Sequence, residues 1–413
     1  MDTAQRSRNR NSADFQVCCV AGFQTRMPRN VPRLADLEIG DTAGLETCAT
    51  RRSAHRTSGM TTKLLFPTSV VGSLPRPAFV LDLINDRPPL PPERYDLALQ
   101  AAIRYAVAME EYAGLDVLTD GEWGRKSYIG VVAELAYGFE LGTAADGRPW
   151  TVAVNKLAPK QPGFIANEVK FLKTITARQI KSTLPSPALL GERLWDPNKS
   201  AHAFPKREDF VRACVPILRR ELELIRDAGA DIAQIDDPHL CLFVDSEVRA
   251  RYADPDAAAA FAVEMINEVV SGVRGIKLAV HLCRRAGARV RGEHAHGGGY
   301  GPILPHLNRL QVQHLTLEFT APQAGDMAVF RELREDFEIG LGCVDVTPGK
   351  IDSAETIAAR VRQALKFLAP ERITLNPDCG FAPGSGAIVS LDEAYRKLCN
   401  EVEAARMLRA ELS

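Results

Sequence analysis

The fold is decided by residues 208–238, which read EDFVRACVPILRRELELIRDAGADIAQIDDP. In the first part of this stretch, apolar residues recur at intervals of three and four, which predicts one buried face of an α-helix. These residues are Val211, Cys214, Val215, Leu218, Leu222 and Ile225. Gly229 predicts a left-handed helix end, and a short apolar strand follows and ends in the carboxylates of Asp236 and Asp237. A helix, a glycine and a strand in this order are typical of parallel β/α proteins.

The same order occurs upstream, where a helix around residues 94–112 is followed by Gly114 and by a strand that ends in Asp120 and Glu122. Further β-like runs also end in polar residues. The candidate strands are residues 68–72, 115–122, 164–168, 184–191, 230–236, 277–283, 314–319, 338–345 and 372–380. The sequence therefore predicts a (β/α)8 TIM barrel, in which all strands end at one mouth. Nine candidates exceed the eight strands of a barrel, so one of them, either 164–168 or the first, is expected to be wrong. The alternative, a doubly wound sheet, lacks its Gly-x-Gly-x-x-Gly turn.

Composition excludes several classes of protein. Lys and Arg number 51 and Asp and Glu 52, so the chain lacks the basic excess of a nucleic-acid binder. No apolar stretch is long enough to span a membrane. The nine cysteines are scattered rather than arranged as a secreted disulfide framework, so we expect a cytoplasmic protein with reduced thiols.

Residues 1–59 differ in composition from the rest of the chain. They are rich in arginine, contain no lysine and show no helical or strand period. We expect a disordered extension or an upstream misassigned start, because patterned sequence begins just after Met60. Residues 60–413 are then expected to form a single catalytic barrel that binds zinc.

Four residues at or near predicted strand ends could bind a metal ion. His281 and Cys283 alternate along one strand, so they would face the same side, and Glu318 and Cys379 could complete a tetrahedral zinc site. The spacing alone leaves an alternative open, in which Cys283 and Cys379 are buried thiols and His281 is a hydrogen-bonded core histidine, without a metal ion. The glycine-rich segment 292–301 contains His294 and His296, which we expect to belong to a mobile loop over the barrel mouth rather than to the metal site.

Several blocks of sequence resemble the C-terminal catalytic domain of cobalamin-independent methionine synthase. In chain order they are residues 70–75 (VVGSLP), 115–124 (LDVLTDGEWG), 234–238 (QIDDP), 281–283 (HLC) and 376–380 (NPDCG). The resemblance implies zinc ligands at His281, Cys283, Glu318 and Cys379. It also implies homocysteine-binding residues at Ser73, Glu122 and Asp236, with Glu122 and Asp236 holding the ammonium group during catalysis.

The resemblance implies a zinc-dependent methyltransferase of methionine biosynthesis, with homocysteine as acceptor and a methylfolate or a methyl-corrinoid protein as donor. The chain departs from the family at Thr347, where the family has a histidine thought to protonate the leaving group. An alternative within the family is an epoxyalkane:coenzyme M transferase, whose sulfonate thiol would need cations such as Arg76, Arg125 or Lys126. A non-enzymatic zinc-binding barrel is the third possibility.

Overall fold

A ring of parallel strands forms the centre of the molecule. The computed structural model describes residues 63–145, 149–284, 296–382 and 389–413, so the predicted extension at 1–59 lies outside the described residues. Seven parallel strands form it: β1 (Val117–Leu118), β4 (Gln179–Pro185), β5 (Ile232–Asp236), β6 (Lys277–Leu282), β7 (His314–Glu318), β8 (Glu338–Val344) and β9 (Ile373–Pro377). They are hydrogen-bonded side by side in the order β1-β4-β5-β6-β7-β8-β9.

The segment around Thr68 closes this ring. Thr68 bridges Leu375 of β9, and Ser69 bridges Val117 of β1, both in parallel orientation. The backbone nitrogen of Leu375 donates to Pro67 O at 2.8 Å, and that of Val117 donates to Thr68 O at 3.1 Å. Seven strands and this eighth segment complete the cycle, which confirms the predicted eight-stranded α/β barrel.

The closing segment is held from outside by a helix that follows β9. The backbone nitrogen of Ser69 donates to the buried carboxylate of Glu401 at 3.1 Å. The guanidinium of Arg409 donates to the carbonyl oxygens of Leu65 and Phe66 at 2.8 and 2.9 Å. Two distant parts of the sequence therefore meet at one seam of the barrel.

Helices surround the strands and cover the apolar outer side of the barrel. The longer ones are α2 (Pro92–Ala113), α4 (Phe164–Ile175), α6 (Arg207–Asp227), α9 (Pro255–Val270), α11 (Ala354–Ala364) and α12 (Leu391–Glu411). The shorter ones are α1 (Ala78–Ile84), α3 (Val132–Leu135), α5 (Pro187–Leu194), α7 (Pro238–Leu242), α8 (Ser246–Arg249) and α10 (Leu304–Leu307). Short 3-10 turns lie at Gly301–Ile303, Pro322–Ala324, Met327–Arg331 and Pro370–Arg372. No helix among the described residues is both long enough and apolar enough to cross a membrane.

Helix α6 bears out the prediction made from its period. The six apolar residues that define its predicted face are all buried. Gly229 follows the helix with a φ of 92°, in the left-handed region that glycine adopts without strain.

Two of the candidate strands are corrected by the structure. Residues 164–168 form the start of helix α4, because Ile165, Val169 and Leu172 repeat at helical spacing and are buried on one face. The candidate at 184–191 begins too late: the strand ends at Pro185, and helix α5 starts with Ser186 as its N-cap. The Ser186 hydroxyl accepts from Leu189 N at 3.0 Å, which explains why the apolar run turns into a helix there.

A separate antiparallel hairpin is inserted between β1 and α4. Its strands are β2 (Ala136–Thr143) and β3 (Pro149–Pro159). The Ser200 hydroxyl donates to the carbonyl oxygen of Ala153 in β3 at 2.5 Å, which ties the hairpin to the segment between α5 and α6. The hairpin contributes Pro149 to the cavity described next.

Candidate metal and substrate site

A cavity of about 740 Å³ opens at the ends where the barrel strands finish. Six of the seven site residues predicted from the sequence line it: Ser73, Glu122, Asp236, His281, Cys283 and Cys379. They come from different strand ends, far apart in sequence. The parallel barrel brings them together because all its strands end at the same mouth.

His281, Cys283 and Cys379 form a compact group that could hold a metal ion. One ligand atom from each residue lies within 4.8 Å of the others, and all three side chains are buried. The two sulfur atoms are 3.4 Å apart. Nε2 of His281 is buried and has no hydrogen-bond partner among the described residues. A buried nitrogen left without a partner beside two thiols fits a zinc ligand set, because zinc prefers imidazole and thiolate.

Glu318, the fourth predicted ligand, is buried at the end of β7 but is not part of this three-residue group. One of its oxygens accepts from the backbone nitrogen of Arg284 at 2.8 Å. Its charge lies close enough to Cys379 to raise the pKa of that thiol. The structure thus brings three of the four predicted ligands together and places the fourth beside them.

Without a bound cation, the group holds protons at neutral pH. Burial lowers the pKa of His281, but the hydrogen bond to Asp236 and the proximity of the Cys283 sulfur outweigh burial and raise it to about 10. The hydrogen bond to Cys283 and burial raise the pKa of Cys379 well above its ordinary value. A divalent cation would reverse this balance, because it favours the deprotonated form of each ligand.

Asp236 orients the imidazole of the group. Its Oδ1 accepts from Nδ1 of His281 at 3.0 Å and from Nε2 of Gln234 at 2.8 Å. Asp236 and His281 are direct neighbours in the register of β5 and β6. A carboxylate on Nδ1 fixes the ring so that Nε2 faces a metal ion, an arrangement that raises the basicity of the ligand. The sequence predicted a substrate contact for Asp236 and missed this contact with His281.

Glu122 is held in the cavity by its own loop and by β4. Its backbone has a φ of 57°, unusual for a residue other than glycine, and its nitrogen donates to Asp120 Oδ1 at 2.9 Å. The Thr183 hydroxyl donates to Glu122 Oε1 at 2.8 Å. A Cβ on Gly72 would lie 2.9 Å from that oxygen, so the glycine makes room for the carboxylate.

Glu122 and Asp236 place negative charge on one side of the cavity. Burial raises the pKa of Glu122, and the nearby charge of Asp236 adds to this effect, while Arg125 lowers it. Two neighbouring carboxylates in a buried site favour a cationic ligand, because it relieves their mutual repulsion.

Arg125, one of the cations considered for a sulfonate, is committed to a buried network. Its guanidinium donates to both oxygens of Glu168, with Nη2 to Oε2 at 2.6 Å, and to the Thr183 hydroxyl at 2.9 Å. Arg76 donates to the backbone oxygens of Glu122 and Arg125 at 2.7 and 3.1 Å. Of the three cations, only Lys126 is both exposed and on the cavity wall. Arg125 and Arg76 therefore position the Glu122 loop.

Ser73 packs against the loop that carries Cys379. Its hydroxyl accepts from the backbone nitrogen of Ala382 at 3.2 Å, and its carbonyl oxygen accepts from Phe381 N at 2.9 Å. A Cβ on Gly380 would come within 2.3 Å of the Ser73 hydroxyl, so a glycine is required there. The residue is placed to line the cavity beside the metal group.

Sequence reasoning missed other residues of the cavity wall. Tyr128 lines the cavity; burial raises its pKa, and the charges of Cys283 and Asp236 add to this, so its phenol stays protonated. Glu192, His239 and Tyr252 also line the cavity, and the Tyr252 hydroxyl contacts Glu192 at 3.1 Å and His239 at 2.8 Å. Their positions in the sequence could have identified them, because they follow β1, β4 and β5, and a barrel builds its active site from the segments that follow its strands.

The sequence of this chain is similar to one protein family over most of its length. The profile of the family described as "Cobalamin-independent synthase, Catalytic domain" matches residues 66–407. Curated relatives include methionine synthases from Saccharolobus solfataricus (29% identical), Saccharolobus islandicus (30%) and Pyrococcus horikoshii (28%). Each alignment covers 84% of this chain and 94–96% of the relative.

Solved structures share the fold. A B12-independent methionine synthase from Shewanella sp. W3-18-1, in complex with selenomethionine, superposes with a TM-score of 0.68 at 24% identity, covering 84% of this chain and 99% of that one. A putative vitamin-B12-independent methionine synthase from Listeria monocytogenes gives a TM-score of 0.63 at 23% identity, with 83% and 98% coverage.

Proposed function

Because the chain belongs to the cobalamin-independent methionine synthase family, we propose that it methylates the thiol of homocysteine with a methylfolate donor, using a zinc ion. The observation that carries this proposal is the shared cavity. A three-residue group fit for zinc and two carboxylates fit for an ammonium group line the same 740 Å³ space.

His281, Cys283 and Cys379 would hold the zinc ion, and Glu318 is proposed as the fourth ligand. A bound zinc ion supplies Lewis acidity, which lowers the pKa of a coordinated thiol so that a thiolate exists at neutral pH. Asp236 keeps the His281 ring in the tautomer that presents Nε2 to the metal.

Glu122 and Asp236 are proposed to bind the ammonium group of homocysteine, and Ser73 to contact the substrate beside them. Two fixed contacts at one end of the substrate would aim its sulfur at the methyl donor, and such positioning lowers the barrier of a bimolecular reaction. The hydrogen bond from Thr183 and the Arg125–Glu168 pair hold Glu122 in place for this role.

The donor is proposed to be a methylfolate. The methyl-corrinoid protein that the sequence left open receives no support from a family described as cobalamin-independent. A coenzyme M thiol is also less favoured, because Arg125 is paired with Glu168 and the two hydrogen bonds of Arg76 go to the backbone of the Glu122 loop. Membership of an enzyme family leaves the non-enzymatic barrel without support.

Calorimetry on the zinc-loaded protein tests the acceptor. We expect homocysteine to bind more tightly than 4-mercaptobutanoate, which is the same thiol acid without the amino group. Glu122→Gln keeps the size of the side chain and removes one of the two negative charges, so it should reduce this preference while leaving zinc content unchanged. Tighter binding of coenzyme M than of homocysteine would refute the proposed acceptor.

A methyl-transfer assay tests the donor. Zinc-loaded protein with homocysteine and methyltetrahydrofolate bearing a glutamate tail should form methionine and tetrahydrofolate in equal amounts. If homocysteine binds but no methionine forms from this donor, the choice of methylfolate is wrong.

A further inference from the structure

A second pair of a histidine and a carboxylate lies outside the metal group, with its histidine on the cavity wall. Nδ1 of His296 is 2.9 Å from Oδ2 of Asp245, and the two side chains are 11% and 7% exposed. His296 lines the same cavity as His281, Cys283 and Cys379. The sequence suggested only a loop for this residue.

Asp245 is fixed independently of His296. It caps helix α8, with Oδ1 accepting from Glu247 N at 2.8 Å. Burial raises the pKa of Asp245, but hydrogen bonds from His296 and from Glu247 N outweigh burial and lower it. The carboxylate therefore stays ionised and can stabilise a positive charge on the His296 ring.

The backbone after His296 is also held in place. The guanidinium of Arg284 donates to Gly298 O at 3.2 and 2.8 Å, and Gly298 N donates to Gln323 O at 3.2 Å. Gly298 has a φ of 129°, and a Cβ there would lie 2.3 Å from the carbonyl oxygen of Val244. Only glycine allows the segment to approach Val244 so closely, and this approach brings His296 beside Asp245.

The proposed reaction requires a proton donor. When a thiolate takes the methyl group from a tertiary amine nitrogen, the C–N bond breaks and its electron pair goes to nitrogen. A protonated amine leaves much more readily than an amide-like anion, so the reaction needs a general acid. Thr347 cannot supply this proton, and it is not among the described residues that line the cavity.

Three histidines line the cavity within the described part of the chain: His239, His281 and His296. His281 belongs to the metal group. Nε2 of His239 contacts the Tyr252 hydroxyl at 2.8 Å and Glu192 at 3.4 Å. Outside the metal group, His296 has its Nδ1 paired with the carboxylate of Asp245, an arrangement that supports a general acid acting through Nε2.

Building on the proposed function, we propose that His296 is the general acid for the leaving group and that Asp245 is its positioning residue. The acceptor thiolate forms a C–S bond to the methyl carbon as the C–N bond to the donor nitrogen breaks. The proton moves from Nε2 of His296 to that nitrogen and gives the neutral amine of tetrahydrofolate. Solvent then reprotonates His296, and the proton lost by the thiol balances the one consumed.

The test compares two methyl donors that differ in their need for a proton. Methyltetrahydrofolate requires protonation of its leaving nitrogen, whereas methyl iodide releases iodide without a proton. In zinc-loaded protein with homocysteine, His296→Gln should lower methyl transfer from methyltetrahydrofolate by about 10²–10⁴-fold. Enzyme-dependent methylation by methyl iodide, zinc content and homocysteine binding should stay as in the wild type.

Two further variants sharpen the result. Asp245→Asn keeps an N-cap but removes the charge beside His296, so it should lower folate-dependent transfer less than His296→Gln and spare transfer from methyl iodide. His306→Gln breaks a similar pair outside the cavity, in which Nε2 of His306 lies 3.2 Å from Asp256, and should change neither rate.

The outcomes separate this proposal from the proposed function. Equal losses with both donors, or no loss with methyltetrahydrofolate, would overturn the role of His296 while the methyltransferase remains. Wild-type protein that binds homocysteine but transfers no methyl group from methyltetrahydrofolate would overturn the methylfolate donor and, with it, the role of His296.

Discussion

Oδ1 of Asp236 accepts a hydrogen bond from Nδ1 of His281 at 3.0 Å, across two adjacent barrel strands. The contact joins the carboxylate proposed for substrate binding to a residue of the metal group. A substitution at Asp236 should therefore weaken metal binding as well as homocysteine binding. A substitution at Glu122 should weaken homocysteine binding alone.

Asp236→Asn should weaken zinc binding. The loss of the carboxylate on a metal-bound histidine typically lowers metal affinity about 10–100-fold. Competition with a chelator of known affinity measures this change. Glu122→Gln is the matched control, because Glu122 has no contact with His281 among the hydrogen bonds of the described residues. Equal zinc affinity in the wild type and in Asp236→Asn would show that the hydrogen bond to His281 does not support the metal.

Cys283→Ser and Cys379→Ser should each lose zinc. A serine hydroxyl is a poor replacement for a thiolate ligand, and a zinc site has only about four ligands, so the loss of one weakens binding strongly. Elemental analysis of protein purified without chelator measures the effect. Cys399→Ser lies outside the three-residue group and should retain the metal. Wild-type protein without zinc would contradict the assignment of the site.

Zinc binding should release protons near neutral pH. The pKa of His281 is raised to about 10 and that of Cys379 is raised well above its ordinary value, so both groups are protonated in the metal-free chain at pH 7. Zinc binds their deprotonated forms, so apparent affinity should fall as the pH is lowered and rise as it is increased. Titration calorimetry in two buffers of different ionisation enthalpy counts the protons, and an identical heat in both buffers would rule out their release.

Arg125→Leu should destabilise the barrel strongly. Arg125 and Glu168 form a buried pair, with side chains 2% and 12% exposed, and removal of one partner leaves the other charge uncompensated. Such a change typically costs about 3–5 kcal/mol, which urea unfolding can measure. Arg396→Ala breaks an exposed pair with Asp392 and serves as the control, with no measurable change expected. A similar stability for both variants would mean that water reaches the Arg125 network.

Deletion of residues 1–59 should leave the melting temperature and the zinc content unchanged. The segment has no apolar period, so it offers little area to bury against a barrel. Differential scanning calorimetry of the full chain and of the shortened chain compares the two. A drop of several degrees would indicate that the segment packs on the barrel.

The sequence predicted the barrel and most of its cavity because both follow local rules. The apolar period of α6 and the acids after β5 are visible in residues 208–238, and the barrel then brings the strand ends to one mouth. Residues 164–168, one of the two candidate strands expected to be wrong, are helical. Five residues alone fit a strand and a helix equally well, and the helical spacing becomes visible only with Val169 and Leu172.

Contacts between side chains far apart in the sequence could not be predicted from sequence patterns. The hydrogen bond between Asp236 and His281 depends on the register of β5 and β6. The spacing of residues along the sequence does not specify this register. His296 was treated as part of a loop, because its pairing with Asp245 depends on the close approach of Gly298 to Val244.

The seam between residues 67–69 and β9 also sets an order of events during synthesis of the chain. The barrel is incomplete until β9 has left the ribosome, because Leu375 exchanges backbone hydrogen bonds with Pro67 and Ser69. Cys379 follows β9 by two residues, so the strand that completes the ring also brings the last sulfur of the metal group. A zinc ion bound as proposed would therefore have its third ligand only once this strand is in place, so metal binding would depend on closure of the ring.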